Sequence, residues 1–160
     1  NLMIADILNL KDMQDKSFVV LVKRHEHGET LSELLGVPFV HGKCSTQFRE
    51  EIRERILSGE LKRLVATTIF DQSVNFPNLD GIINAGGHSP ENAQTQRHGR
   101  VLRTYEGKEC AYFFDFYDSW ESRMKKHSRA RANYMRDEGH EVHFIAPDAD
   151  GRKEEFGNGK

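Results

Sequence analysis

The chain holds 160 residues, of which 30% are charged and 37% hydrophobic, the profile of one globular domain with a polar excess. No run approaches the ~18 apolar residues of a membrane span and no leader pattern opens the chain, so a soluble cytoplasmic protein without membrane contact is expected, nucleoid-associated or phage-encoded ones included. A formal charge of -2 gives no global pull on nucleic acid, and the isolated Cys44 and Cys110 indicate neither a zinc site nor a disulfide framework.

In chain order, Leu2 to Leu10 predicts a short amphipathic helix and Lys11 to Lys16 a polar turn. Phe18-Val19-Val20-Leu21-Val22 is an unbroken apolar, β-branched run, as expected of a strand covered on both faces. Lys23 to Gly28 reads as a loop, Glu29 to Leu35 as a helix stopped by Gly36, and Val37 to His41 as a short strand. Ser45 to Leu57 carries Phe48, Ile52, Ile56 and Leu57 at helical spacing. Leu61 to Thr67, Leu79 to Asn84 and Cys110 to Phe116 follow as strands. Asp118 to Glu138 then reads as one long helix, with Asp118 and Glu121 in capping-box form and Trp120, Met124, His127, Arg131 and Tyr134 along one side.

That helix carries Arg123, Lys125, Lys126, Arg129, Arg131 and Arg136, either a solvated face or a rail for a phosphate backbone. Glu141 to Ile145 reads as an edge-like strand. Residues 1–146 are expected to form the domain and 147–160 a polar, Gly-rich tail without regular structure. The alternation of strands and helices predicts an α/β fold with a mostly parallel sheet covered on both faces, and ligands at the carboxyl ends of its strands.

Three stretches carry chemistry. In Gln96-Arg97-His98-Gly99-Arg100-Val101-Leu102-Arg103, preceded by the helix-start signals Ser89, Pro90 and Glu91, three arginines recur at three-residue spacing and share a side of a helical turn. They form either a wet surface or an anion site, and Gln96 and Gly99 favour a polyphosphate. In Val65 to Pro77, a strand ends at Thr67, which either caps the next helix or offers its hydroxyl to a phosphate. His41-Gly42 precedes Arg49 near a helix start; Arg49 is either an exposed, paired cation or a nucleic-acid contact. His25 and His27 flank Glu26 with no further ligands at a familiar spacing, so no metal site is expected and they read as loop histidines.

The string QRHGRVLR resembles the QRxGRxxR motif VI of superfamily 2 helicases and translocases. Val65 to Pro77 resembles their motif V, His41-Gly42 with Arg49 resembles the strand and helix leading to it, and Phe18 to Lys23 takes the place of motif IV. The matches fall in family order over Phe18 to Phe116. The resemblance implies a RecA-like fold of P-loop NTPase type, here the C-terminal domain that lacks the P-loop.

It further implies Arg100 and Arg103 as arginine fingers and Gln96 as a group positioning the attacking water or γ-phosphate. Arg97, Gly99, Ser73 and Asn75 would line the nucleotide cleft, while Thr67, Arg49 and Gly42 would lie on the nucleic-acid track. Ser73 and Asn75 stand where most relatives have glycine and aspartate, and Thr68 where many have an acid. ATP and Mg would be held mainly by an N-terminal RecA-like domain of the same protein, since no Gly-x-x-x-x-Gly-Lys-Ser/Thr loop and no strand-ending Asp-Glu pair occur in this chain. A start at Asn1 is likewise expected of a piece of something longer. Val101-Leu102 leans toward DNA rather than RNA as partner. The alternatives are a non-catalytic helicase-like module that binds nucleic acid or protein, and an unrelated α/β enzyme that takes a phosphorylated metabolite.

Overall fold

The computed structural model describes residues 1–67, 79–87, 110–117, 121–147 and 153–156. Its centre is β1 (Phe18–Val22), in which all five residues are buried as the unbroken apolar run predicted. Around it lie β2 (Phe39–Val40), β3 (Arg63–Thr67), β4 (Gly81–Asn84) and β5 (Tyr112–Asp115), in the order β2-β3-β1-β4-β5. Every pairing in this five-stranded sheet is parallel, with Val22 opposite Thr67, Leu21 opposite Asn84, Val40 opposite Ala66 and Asn84 opposite Asp115. All five strands therefore end along one edge.

Alternation along the strands splits the core into two layers. Val19, Leu21, Leu64, Ala66 and Ile82 face Ile52 and Ile56 of α3 (Thr46–Leu57) and Met135 of α4 (Ser122–Asp137). Phe18, Val20, Val22, Val65 and Ile83 face Ile4 and Leu8 of α1 (Leu2–Asn9) and Leu31 of α2 (His25–Leu35). The amino ends are fixed by polar clasps. Asp80 Oδ2 accepts from the Ser17 N–H and hydroxyl at 2.7 and 2.9 Å, setting β4 beside β1. Arg63 Nη2 donates to the Leu8 and Gln14 carbonyls at 2.8 and 3.1 Å, holding the turn after α1 to β3.

Several expected boundaries move, each for a local reason. The helix expected from Glu29 starts at His25, so the two histidines expected in a loop lie in its first turn. Gly28, read as a loop signal, is instead the buried residue that lets α2 approach the Phe39 ring, where a β-carbon would collide. The strand expected over Val37 to His41 shortens to Phe39–Val40, since Pro38 has no N–H to give, although its carbonyl accepts from Val65 N at 2.9 Å. α4 starts at Ser122 with Glu121 as N-cap and no side-chain cap bond, so Glu121 does not take the inner place of a capping box; Asp118 and Trp120 lie outside the described residues.

The terminal strand runs Phe144–Pro147 (β6) rather than from Glu141, and it pairs antiparallel with Lys153–Phe156 (β7), Phe144 opposite Phe156. The expectation of a tail without regular structure is corrected over Lys153–Phe156. Its polar composition argues against a core, but a strand needs only a neighbouring backbone to satisfy its N–H and C=O groups.

Gly81 opens β4 where strand contacts are tightest. A β-carbon there would meet the Phe18 ring and lie 2.8 Å from the Tyr112 carbonyl oxygen. Phe18 is fully buried and Tyr112 O belongs to the neighbouring strand, so neither retreats cheaply. Gly81→Ala is expected to cost about 1–3 kcal/mol, read as a lower urea midpoint with an unchanged slope. An unchanged midpoint would show that the ring moves aside freely.

Candidate nucleic-acid and nucleotide interface

The carboxyl edge of the sheet gathers what the sequence scattered. The register Val40 to Ala66 sets His41-Gly42, just past β2, beside Thr67, the last residue of β3. Ser45 caps α3 by accepting from Phe48 N at 3.2 Å, which places Arg49 in the first turn. Arg49 Nη2 turns back to donate to the carbonyls of Gly42 and Cys44 at 2.7 and 2.9 Å. Its guanidinium thus shapes the loop after β2; Arg53, by contrast, is the cation that pairs with Glu50, at 3.3 Å.

Thr67 is 8% exposed. Among the described residues, its Oγ1 and the Nε of Arg49 are buried polar atoms without a hydrogen-bond partner. Such atoms are costly unless something meets them. Three of the sequence-predicted residues, Gly42, Arg49 and Thr67, are thereby brought to one edge. Ser73, Asn75, Gln96, Arg97, Gly99, Arg100 and Arg103 lie outside the described residues.

His25 and His41 meet edge to face at 4.3 Å between ring centres, with Phe39 against both. Burial, then the neighbouring His25, holds His41 below its ordinary value, so it favours the neutral form.

Between the starts of α1 and α2 and the end of β4 lies a cleft of about 250 Å³, lined by Ile4, His27, Asn84, Ala85, Gly87 and Asp115 among others. The cleft opens at the carboxyl ends of β4 and β5, the edge at which α/β sheets take ligands. Its floor is a polar network that sequence reasoning missed. Asn84, 2% exposed, donates to Asp115 Oδ1 at 3.1 Å, and Arg131 Nε donates to Asp115 Oδ2 at 2.5 Å. Arg131 also reaches the Phe116 carbonyl at 3.1 Å and Ser128 Oγ at 3.2 Å. Burial pushes the Asp115 carboxyl above its ordinary range, outweighing the Arg131 guanidinium and the Phe116 and Asn84 donors that pull it down.

The parallel strand order, with Gly42, Arg49 and Thr67 at its carboxyl edge, matches a known family. The helicase conserved C-terminal domain model covers residues 2–105. The chain belongs to that family. Among curated relatives, it is 30% identical over 94 residues to the "DNA 3'-5' translocase XPB2" of Sulfurisphaera tokodaii, an alignment covering 59% of this chain and 21% of the relative. It is 32% identical over 101 residues to a "Putative DNA 3'-5' helicase Rad25" of Halobacterium salinarum, covering 62% and 17%. The chain thus spans about a fifth of the length of these relatives.

Among solved structures, T4 UvsW superposes with TM-score 0.67 at 22% identity, over 85% of this chain and 32% of that one. The E. coli DEAD-box protein SrmB, bound to RraA, superposes with TM-score 0.64 at 18% identity, over 83% and 76%. The fold is the RecA-like C-terminal domain of superfamily 2 helicases, as the helicase-domain motifs implied. Among the described residues, no helix is long and apolar enough to cross a membrane.

Proposed function

We propose that this helicase domain acts as the second RecA-like half of an ATP-driven DNA translocase or helicase, closing on ATP and Mg held mainly by a first half of the same protein. The observation that carries the reading is the meeting of Gly42, Arg49 and Thr67, from two separate motifs, at one edge of the sheet. There the Arg49 charge and the Thr67 hydroxyl suit a strand's phosphate backbone. The two relatives named for acting on DNA favour DNA over RNA.

The donor set suits a triphosphate. Arg97, Arg100 and Arg103 supply permanently charged, forked donors at three-residue spacing, and Gln96 adds an uncharged one. ATP, when bound, supplies a transferable phosphoryl group whose charge spreads over three oxygens. Arg100 and Arg103 would neutralise that charge as the two halves close, and Gln96 would orient water. Arg97, Gly99, Ser73 and Asn75 would line the rest of the cleft. Thr67, Arg49 and Gly42 would grip the strand on this half, so that closing and opening shifts the grip along it.

Ser73 and Asn75, in place of the glycine and aspartate of most relatives, favour a second reading: a non-catalytic helicase-like module that binds nucleic acid or protein. In the full-length protein, ATP turnover is expected to rise several-fold when DNA is added. Binding of a fluorescent ATP analogue without hydrolysis would leave the module instead, and absence of both would overturn the proposal.

A further inference from the structure

Charge on this domain is not evenly spread, and the exception is α4. α3 mixes signs and spends its cations locally, Arg53 on Glu50 at 3.3 Å and Arg55 on Glu60 at 2.8 Å. α4 carries Arg123, Lys125, Lys126, Arg129, Arg131 and Arg136 against Asp137 alone, at its last residue. Arg131 is committed inward to Asp115. Among the described residues, no acidic side chain lies within ion-pair distance of Arg123, Lys125, Lys126 or Arg129; Arg129 Nε donates instead to the Tyr117 hydroxyl at 3.0 Å.

The outward residues are ordered. Ser122, Lys125, Lys126, Arg129, Ala130 and Asn133 recur at helical spacing and share one open face of the helix. The face opposite is pinned: Ser128, Arg131 and Met135 are buried, with Arg131 bonded to Asp115 and the Phe116 carbonyl just past the end of β5. The stripe is therefore held at a fixed orientation beside the carboxyl edge. At ~1.5 Å per residue, Ser122 to Asn133 spans roughly 16 Å, the length of about five base-pair steps of a duplex at ~3.4 Å along its axis.

We infer that this stripe is a second nucleic-acid contact, separate from the Thr67 and Arg49 edge, that takes the phosphate backbone of DNA without reading its bases. Lysine and arginine supply the charge, and Ser122 and Asn133 supply neutral donors at the two ends. A protein partner is disfavoured because this face lacks the large aromatic or aliphatic anchors around which protein interfaces concentrate their affinity. The inference rests on the reading of the domain as DNA-binding.

The test is fluorescence-anisotropy titration of the full-length protein with a labelled DNA duplex at several salt concentrations. Lys125→Gln/Lys126→Gln is compared with the wild type and with the charge-keeping Lys125→Arg/Lys126→Arg. Neutralising two phosphate contacts is expected to lower the slope of log affinity against log salt by about 2, and affinity at low salt by roughly tenfold. The arginine pair is expected to keep both. Adding Arg129→Gln lowers the slope by about 1 more. An unchanged thermal midpoint in the first variant separates this from unfolding, since neither lysine is buried. Slope and affinity equal to wild type would overturn the inference, leave the function intact and point the stripe at an acidic protein. A wild-type protein that binds no DNA overturns the function itself, and the inference with it.

Discussion

Arg100→Ala in the full-length protein is expected to lower DNA-stimulated ATP hydrolysis by about 10³- to 10⁵-fold, the range over which a finger arginine acts on phosphoryl transfer. Arg103→Ala should do the same, because both guanidiniums would meet charge that spreads over the transferred group only as it leaves. Contacts made chiefly in the transition state appear in kcat, so KM for ATP should move much less. Arg100→Lys is expected to recover little, since an ammonium offers a point charge where a planar fork is needed. Arg97→Ala, if that side chain binds the ground state as well, should raise KM. Steady-state turnover with saturating DNA, alongside thermal midpoints matching wild type, checks all four. Turnover within tenfold of wild type for both alanine variants would remove these arginines from the phosphoryl site.

Arg131→Met is expected to destabilise the domain by about 3–5 kcal/mol near neutral pH, as removal of one partner from a buried ion pair does. Arg131 is 3% exposed and the Asp115 side chain 21%. Methionine restores apolar volume but not the charge, leaving Asp115 with the Phe116 N–H and the Asn84 amide. The loss should depend on pH in a defined direction. A carboxyl whose folded-state pKa is raised binds more protons folded than unfolded, so stability falls as pH rises from its ordinary 3.8 through the raised value. Without Arg131 that window extends further upward. Urea unfolding should therefore show a smaller difference from wild type near about pH 4.5 than near about pH 7. An equal loss at both would assign the effect to packing rather than to the carboxylate.

What could be read without coordinates follows from how far each signal reaches along the chain. Phe18–Val22 was legible because a strand buried on both faces needs no partner to declare itself. Gly36 was legible as a stop for the same local reason, with φ 64°. Gly28 misled because the ring that requires it, Phe39, sits on another element. Arg131 was grouped with the surface cations of α4, since nothing near it in sequence announces an aspartate 16 residues upstream at the end of β5. Within the candidate site, the motifs named Gly42, Arg49 and Thr67, and the sheet register brought them together. They did not foresee that Arg49 would bend back onto the carbonyls of its own loop, because a backbone acceptor leaves no mark in the side-chain sequence.

The innermost strand is also the earliest of this domain's described strands, and that ordering bears on how the domain is made. Within this domain β1 pairs with residues 63–67 and 81–84, so its sheet neighbours are synthesised only after more than forty further residues. Until then, α1 and α2 are the elements of this domain available to cover its five apolar side chains. Parallel pairings of such separation close slowly and leave aggregation-prone surface exposed in the interval. The yield of folded protein in cells should thus be set less by final stability than by translation speed and chaperone supply during that interval.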